Sequence, residues 1–275
     1  MTTQNTTILD SIDPEIIETL TTRREEIAQG ASASSKLTAA LALGSIPVAL
    51  AALSTDVYGQ APADVLDVLQ FALLLEFLEG EFYDRGVANA TLMAIPAADL
   101  PIFTTIQAHE NAHIAALRAM ITAKGATPNA KPAFDFTAKG NLPGFNFGAG
   151  QYATFQALAQ AFEDTGVRAY KGQAGRLIND KATLTAALTI HSVEARHAAE
   201  IRRLRGQKGW ITQNHRDTLP AFTQGIYDGE QNTTQAGMNI AALGSNNGGT
   251  EAVTEAFDEP LTKAQVTAIV TPFLA

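Results

Sequence analysis

The pattern that most restricts how this chain can fold is a pair of short motifs that occurs twice in the same order. A glutamate, Glu76, precedes a Glu-x-x-His motif that begins at Glu110, and a second glutamate, Glu163, precedes another such motif that begins at Glu194. Residues three apart on an α-helix lie on one face, so each motif presents a carboxylate and an imidazole side by side. The repeated order indicates an internal duplication of one helical hairpin.

Hydrophobic residues recur at helical spacing through most of the chain beyond residue 60, which predicts an all-α protein. Asp99 and Asp180 are of a type that favours helix N-termini, and Gly125 and Gly206 are typical of positions just after a helix. Helices of about 25 residues are long for a globular protein and typical of a four-helix bundle. They are predicted over 63–90, 99–124, 150–178 and 180–206.

The connections predict how these helices are arranged. About two residues separate the third and fourth predicted helices, which must therefore be antiparallel neighbours. The short segment 91–98 joins the first and second, whereas the second and third are separated by residues 126–149, which are rich in Pro, Gly, Asn and Phe. A crossover along the bundle explains a connection of that length, and one long crossover is the ferritin-like arrangement.

The two glutamates and the two Glu-x-x-His motifs together form the ligand set of a dimetal centre in such a bundle. Several carboxylates inside a bundle cannot all stay ionised without compensating charge, and two divalent cations would balance four of them. The chain has no cysteine, which excludes thiolate sites, and oxygen-rich ligation with two imidazoles favours iron or manganese. The predicted ligands of the two ions are Glu76, Glu110, His113, Glu163, Glu194 and His197.

Each lone glutamate is followed seven residues later by a tyrosine on the same helix face, which gives the pairs Glu76–Tyr83 and Glu163–Tyr170. Glu79 lies one turn after Glu76 and is an alternative ligand, but only Glu76 keeps the seven-residue spacing. Two roles for the tyrosines stay open: packing in the core with a satisfied hydroxyl, or support of the metal ligands as hydrogen-bond donors or redox-active phenols.

Three further groups of polar residues lie close to the motifs. His191 precedes Glu194 by one turn and is either an additional ligand or a hydrogen-bond partner. His109 is adjacent to Glu110 and is predicted to point away from the site. Near the end of the fourth helix, a solvated face and a favourable interaction with the helix dipole are predicted for Glu200 and for the basic run Arg202, Arg203 and Arg205.

Several segments resemble one known family. LEFLEGEFYDRGVA, HENAHIAALR, LAQAFEDTGVRAY, HSVEARHAAEIRRLRG and the C-terminal AFDEPLTKAQVTAIVTPFL are similar to the ferritin-like proteins related to plant desiccation proteins, which also occur in many bacteria. The resemblance covers roughly residues 60–275. It implies a ferritin-like bundle and a link to desiccation or oxidative stress, and it does not supply a substrate.

The sequence predicts three regions: a leader over 1–59, the bundle over 60–206, and an extension over 207–275 that packs on the bundle and contains a small helix near 261–273. Residues 37–55 of the leader carry no charge and follow Arg23 and Arg24, which is typical of a twin-arginine export signal, although Glu25 is unusual there. The alternative is a retained, buried helix kinked at Pro47, and a stable membrane anchor is not expected. A working signal implies a periplasmic or extracellular protein, and otherwise the protein is cytoplasmic.

Two main functions are compatible with these features. The first is a di-iron or di-manganese oxidoreductase, ferroxidase-like or catalase-like, that protects against oxidative or desiccation stress by reaction with dioxygen or peroxide. The second is a structural or protective assembly protein with little or no catalysis, and a mineral-storing cage is a weaker third. We expect a homo-oligomer, and the net charge of −9 argues against a nucleic-acid partner.

Overall fold

A computed structural model describes residues 63–246 and 248–275, so the predicted leader, with its export-signal and buried-helix alternatives, lies outside the described residues. Within that part of the chain, four α-helices are longer than twenty residues, and the only strands are two residues each. The helices are α1 (Ala63–Ala88), α2 (Ala90–Met93), α3 (Leu100–Ala123), α4 (Tyr152–Ala174), α5 (Lys181–Leu204), α6 (Gly249–Thr254) and α7 (Lys263–Val270), and the antiparallel strands are β1 (Thr234–Gln235) and β2 (Met238–Asn239).

The predicted all-α bundle is confirmed. α1 packs along α3 and α4 packs along α5, so the two halves of the duplicated pattern form two helical hairpins. Short 3-10 helices complete the described elements, at Gly175–Leu177, Ala221–Ile226, Ala241–Asn246 and Thr271–Phe273. No helix in the described ranges combines the length and apolar character needed to cross a bilayer.

The two predicted aspartate caps behave differently. Asp180 caps α5 as expected, because its side chain accepts a hydrogen bond from the backbone N–H of Thr183 at 3.0 Å. Asp99 stands at the start of α3, but its side chain makes no capping bond. Its Oδ2 instead accepts a hydrogen bond from the hydroxyl of Tyr152 at 2.8 Å. Asp99 therefore ties the start of α3 to the start of α4.

The long crossover between α3 and α4 contributes aromatic side chains to the core. Phe136 and Phe147 are buried and pack against Phe82 of α1, with ring centroids 5.6 and 5.7 Å away. Phe82 also stacks on Phe155 of α4 at 4.7 Å. Burial of these rings supplies the apolar area that keeps a connection without regular structure in place.

The C-terminal segment is attached to α4 by backbone and ring contacts. The N–H of Leu261 donates to the carbonyl of Arg168 at 3.1 Å, and the ring of Phe273 packs on Phe162 at 4.9 Å. The N–H of Asp135 in the crossover donates to the carbonyl of Phe273 at 2.8 Å. One short segment thus contacts both the bundle and its crossover.

Gly172→Ala should test the close approach of this segment to α4. A Cβ atom at Gly172 would lie 1.8 Å from the carbonyl oxygen of Leu261, which is backbone and cannot rotate away. We expect a loss of about 3 kcal/mol in the free energy of unfolding, at the upper end of overpacking costs, measured by urea denaturation. Gly175→Ala is the matched control, because a Cβ there meets nothing within 4 Å. Equal stability of the two variants would contradict this packing.

Candidate metal centre

The six side chains predicted as ligands converge in the interior of the bundle. α1 and α4 each contribute one glutamate, and α3 and α5 each contribute a Glu-x-x-His pair. The four carboxylates are completely buried, and the two imidazoles are 6% and 5% exposed. The set is Glu76, Glu110, His113, Glu163, Glu194 and His197.

The six residues form two overlapping groups of four. One group contains Glu76 and His113, the other contains Glu163 and His197, and both contain Glu110 and Glu194. In each group, one potential ligand atom per residue lies within 4.8 Å of the others. A pair of neighbouring cations requires this arrangement, in which two carboxylates are shared and each cation has two further residues of its own.

Both imidazoles turn their Nδ1 atom towards the carboxylates. Nδ1 of His113 lies 3.2 Å from Glu76 Oε2 and 3.1 Å from Glu194 Oε1. Nδ1 of His197 lies 2.9 Å from Glu110 Oε1 and 3.3 Å from Glu163 Oε2. The two hairpins therefore place equivalent atoms of their Glu-x-x-His motifs on opposite sides of one buried cluster.

Comparison with protein families agrees with this geometry. The model of the family described as "Ferritin-like domain" matches residues 64–207, which is more than half of the chain. The chain belongs to this ferritin-like family. The match includes all four long helices and all six converging residues, and its relation to the desiccation-related members stays a prediction. A search of curated proteins gave no match.

The ferritin-like site passes a direct test of whether cations would fit. Both carboxylate oxygens of Glu194, Oε2 of Glu163 and Nδ1 of His197 are buried, and although other side chains of the cluster lie close by, none is oriented to form a hydrogen bond with them. Buried polar atoms in folded proteins nearly always have a partner, because leaving them without one costs free energy. A pair of cations between the two groups would contact these atoms.

Tyr83 and Tyr170 each support a glutamate of the opposite hairpin. The hydroxyl of Tyr83 on α1 donates to Glu163 Oε1 on α4 at 2.5 Å. The hydroxyl of Tyr170 on α4 donates to Glu76 Oε1 on α1, also at 2.5 Å. Burial and the adjacent carboxylate raise the pKa of both phenols, so both remain protonated donors. One oxygen of each glutamate is thus occupied, and Oε2 faces the histidines.

The phenylalanine variants Tyr83→Phe and Tyr170→Phe should separate support of the ligands from packing. Each keeps the buried ring and removes one hydrogen bond to a glutamate of the cluster. We expect each to lower metal affinity about 10–100-fold, the usual cost of removing a hydrogen bond to a ligand, as measured by calorimetric titration. Tyr152→Phe is the control, because it loses a hydrogen bond to Asp99 and one from Gln156, neither of which belongs to the cluster. Unchanged affinity in both test variants would mean that the tyrosines serve packing alone.

The charges of the cluster are balanced by protons when no cation is bound. Burial raises the pKa of Glu76 to about 7. Burial and the neighbouring Glu110 carboxylate raise the pKa of Glu194 further. Burial alone would lower the pKa of His197, but the carboxylates of Glu163 and Glu110 raise it to about 11. Cations that enter the cluster must therefore displace protons.

The two alternate ligands lie outside both groups. Glu79 is buried beside the cluster, and its pKa is raised by burial and by the other carboxylates. Gly166 occupies the corresponding position of the second hairpin, where a Cβ atom would lie 3.3 Å from both Glu79 Oε1 and Glu194 Oε2. Because Gly166 has no side chain, the carboxylate of Glu79 has room beside it. His191 is only partly buried, and its Nδ1 makes no hydrogen bond.

The prediction that His109 points away from the site is wrong. Its Nδ1 lies 2.9 Å from Nε2 of His197. A signal for this contact exists in the sequence, because His109 precedes His113 by four residues and so shares its helix face. Glu110 is the next residue after His109, but neighbouring helical positions diverge by only about 100°, so both side chains can reach one cluster.

Proposed function

We propose that this ferritin-like protein binds two divalent ions, iron or manganese, and uses them in reactions with dioxygen or peroxide. The supporting observation is the pair of four-residue groups that share Glu110 and Glu194. Glu76 and His113 would hold one ion, Glu163 and His197 the other, and the shared carboxylates would bridge them. Four carboxylates balance the charge of two divalent ions, while neutral imidazoles add ligands without adding charge.

The donor set favours iron or manganese. The cluster offers carboxylate oxygens and two imidazole nitrogens, and the chain has no cysteine to select a thiolate-binding metal. Two such ions, when bound, supply one electron each for the reduction of dioxygen or peroxide. Oxidation of ferrous ions and disproportionation of peroxide are both compatible with this chemistry.

The surrounding residues orient the ligands and exclude water. Tyr83 and Tyr170 hold Oε1 of the two unshared glutamates, which leaves Oε2 of each for an ion. The phenol of each tyrosine is completely buried or nearly so, at 0% and 7% exposed. The aromatic core around Phe82 closes the bundle beside Tyr83, whose ring lies 5.3 Å from that of Phe82. Ligands held in a dry interior interact more strongly with a cation than ligands in water.

The decisive experiment is metal analysis of protein purified without chelators. We expect about two iron or manganese ions per chain, and measurable oxidation of ferrous ions or consumption of peroxide. Protein stripped of metal should lose this activity and regain it on reconstitution. Folded protein that consumes peroxide or oxidises ferrous ions with no bound metal would refute the proposal.

A protective assembly without catalysis is the second candidate. Large apolar side chains are exposed on the described surface, including Ile178 at 61% and Met238 at 64%, and such residues favour contacts with other chains. Light scattering on metal-free protein would test it. A stable homo-oligomer with no peroxide consumption would favour assembly, whereas a monomer with metal-dependent turnover would exclude it.

The roles in oxidative or desiccation stress and in export belong to the same proposal. The stress role depends on the resemblance to desiccation-related proteins. Export depends on the charge pattern before residues 37–55. Sequencing the N-terminus of protein recovered from its native cell fraction would test export. An N-terminus at Met1 would refute a cleaved signal.

A further inference from the structure

His197 differs from the other predicted histidine ligand in having a histidine on its outer side. Nδ1 of His109 lies 2.9 Å from Nε2 of His197. The ring centroids are 5.2 Å apart and the planes differ by only 13°. With two nitrogens this close and the centroids this far apart, the rings lie edge to edge in nearly one plane. This is hydrogen-bond geometry, in which a lone pair and an N–H point along one line.

This contact determines how His197 can present itself to a cation. Its Nδ1 faces Glu110 Oε1 and Glu163 Oε2, so a bound ion would take the lone pair of Nδ1. The single proton of the neutral ring then resides on Nε2, which donates to Nδ1 of His109. A hydrogen bond to the outer nitrogen of a ligating histidine sets both its tautomer and the orientation of its ring.

The second hairpin has no histidine at the position equivalent to His109. Val193 occupies, one residue before Glu194, the position that His109 occupies before Glu110. A valine side chain cannot accept a hydrogen bond. Among the described residues, no hydrogen bond joins the outer nitrogen of His113 to another side chain. The duplication is therefore symmetric in its ligands and asymmetric in what holds the two histidines.

His109 contacts the outer nitrogen of His197 at a place where His197 is close to the protein surface. His197 reaches a surface groove between α3 and α5 whose lining includes Thr105, Arg196 and Arg203. His109 itself is exposed on α3. Without its imidazole, water from the groove would compete for Nε2 of His197, and the ring would lose its fixed orientation.

The geometry points to His109 as a positioning residue that orients His197 and makes the two metal positions unequal in affinity. This inference rests on the proposed function, because it assumes that the cluster binds a pair of ions. The position held by Glu163 and His197 is the one that depends on His109, and the position held by Glu76 and His113 does not. The ion bound through His197 is therefore the one whose affinity should fall when His109 is removed.

Anaerobic calorimetric titration with Mn²⁺ tests this inference on the full chain. We expect His109→Ala to weaken one of two binding steps about 10–100-fold and to leave the other unchanged. Its electron paramagnetic resonance spectrum at two equivalents of Mn²⁺ should show more uncoupled ion than the wild type. His109→Asn should restore most of the affinity, because its side-chain oxygen can accept the same hydrogen bond. His215→Ala removes an exposed histidine elsewhere and is the matched control.

The possible results are distinguishable. Unchanged binding in His109→Ala, equal weakening of both steps, or failure of asparagine to restore affinity would each overturn the positioning role. A wild-type chain that binds no Mn²⁺ and no Fe²⁺ would refute the proposed function itself, and this inference with it.

Discussion

Replacing Glu194 with glutamine should abolish the proposed binding of two metal ions and stabilise the metal-free fold. Glu194 belongs to both groups of four, so its loss affects both positions at once. The loss of a bridging ligand should cost more than the ~10–100-fold that removing a hydrogen bond to a ligand costs. We expect elemental analysis to find less than one ion per chain. Glu76→Gln, which affects one group only, should retain part of the metal.

The stabilisation follows from the charge balance of the cluster. Five buried carboxyl groups, which include Glu79, lie beside only two imidazoles, so several of the carboxyls must stay protonated when cations are absent. Burial and the neighbouring Glu110 raise the pKa of Glu194, which means that its ionised form is unfavourable in the folded state. A glutamine keeps the shape and never ionises. The gain in stability should therefore increase as the pH rises above the ordinary pKa of a glutamate, because the wild-type carboxyl then ionises in the unfolded chain and stays protonated in the folded protein.

Thermal denaturation of metal-free protein at several pH values would measure this effect. Glu200→Gln, an exposed position on the same helix, is the control and should leave both metal content and stability unchanged. Retention of two ions in Glu194→Gln would exclude a bridging role. A lower melting temperature of the metal-free variant would show that Glu194 stabilises the fold, contrary to this reasoning.

Asp164→Ala should strongly destabilise the fold without replacing any of the proposed metal ligands. Asp164 accepts two hydrogen bonds from Arg202, at 2.9 and 2.7 Å, and a third from the hydroxyl of Tyr227 at 2.7 Å. All three side chains are at most 2% exposed. Burial alone would lower the pKa of Arg202, but Asp164 raises it above its ordinary value. Without the carboxylate, the buried guanidinium of Arg202 loses its anionic partner and the buried hydroxyl of Tyr227 loses its acceptor.

We expect the free energy of unfolding to fall by about 3–5 kcal/mol, the cost of leaving one buried charge unpaired. Urea denaturation would measure this loss. Metal-free protein should be used, so that a metal ion bound at the adjacent Glu163 does not contribute to the measured stability. Lys208→Ala breaks an ion pair between a half-exposed lysine and Glu255 and should cost less than about 1 kcal/mol. The double variant Asp164→Leu with Arg202→Met should recover much of the loss, since it removes both charges. A loss below about 1 kcal/mol in Asp164→Ala would contradict the importance of this pair.

Arg202 also shows where reasoning from local sequence fails. Its position near the end of a helix, next to another arginine, predicted a solvated face, and Arg203 is indeed exposed. Arg202 is 2% exposed because two other parts of the chain cover it. One is Tyr227, and the other is the segment around Trp210, where the backbone carbonyl of Trp210 accepts a hydrogen bond from Arg202 at 3.2 Å. Both come from a part of the chain without strong helical periodicity, so the sequence offered no means of placing them over α5.

The tyrosines illustrate the same distinction at the site. The seven-residue spacing correctly placed each tyrosine on the ligand-bearing face of its helix, because that spacing depends only on helix geometry. It also suggested pairs within one helix. The hydrogen bonds instead join α1 and α4. A side chain that points into a bundle lies closer to the helix that faces it than to a residue two turns away on its own helix.

The order of glutamates and Glu-x-x-His motifs, the helical period and the one long connection were sufficient to predict the bundle and the six residues that converge inside it. These features are local: they depend on the turn of one helix or on the length of one connection. The tertiary structure alone decided which carboxylates are shared, that His109 holds His197, and that Arg202 is buried. Each of these depends on the distance between side chains far apart in sequence, and that distance is set only when the helices pack against one another.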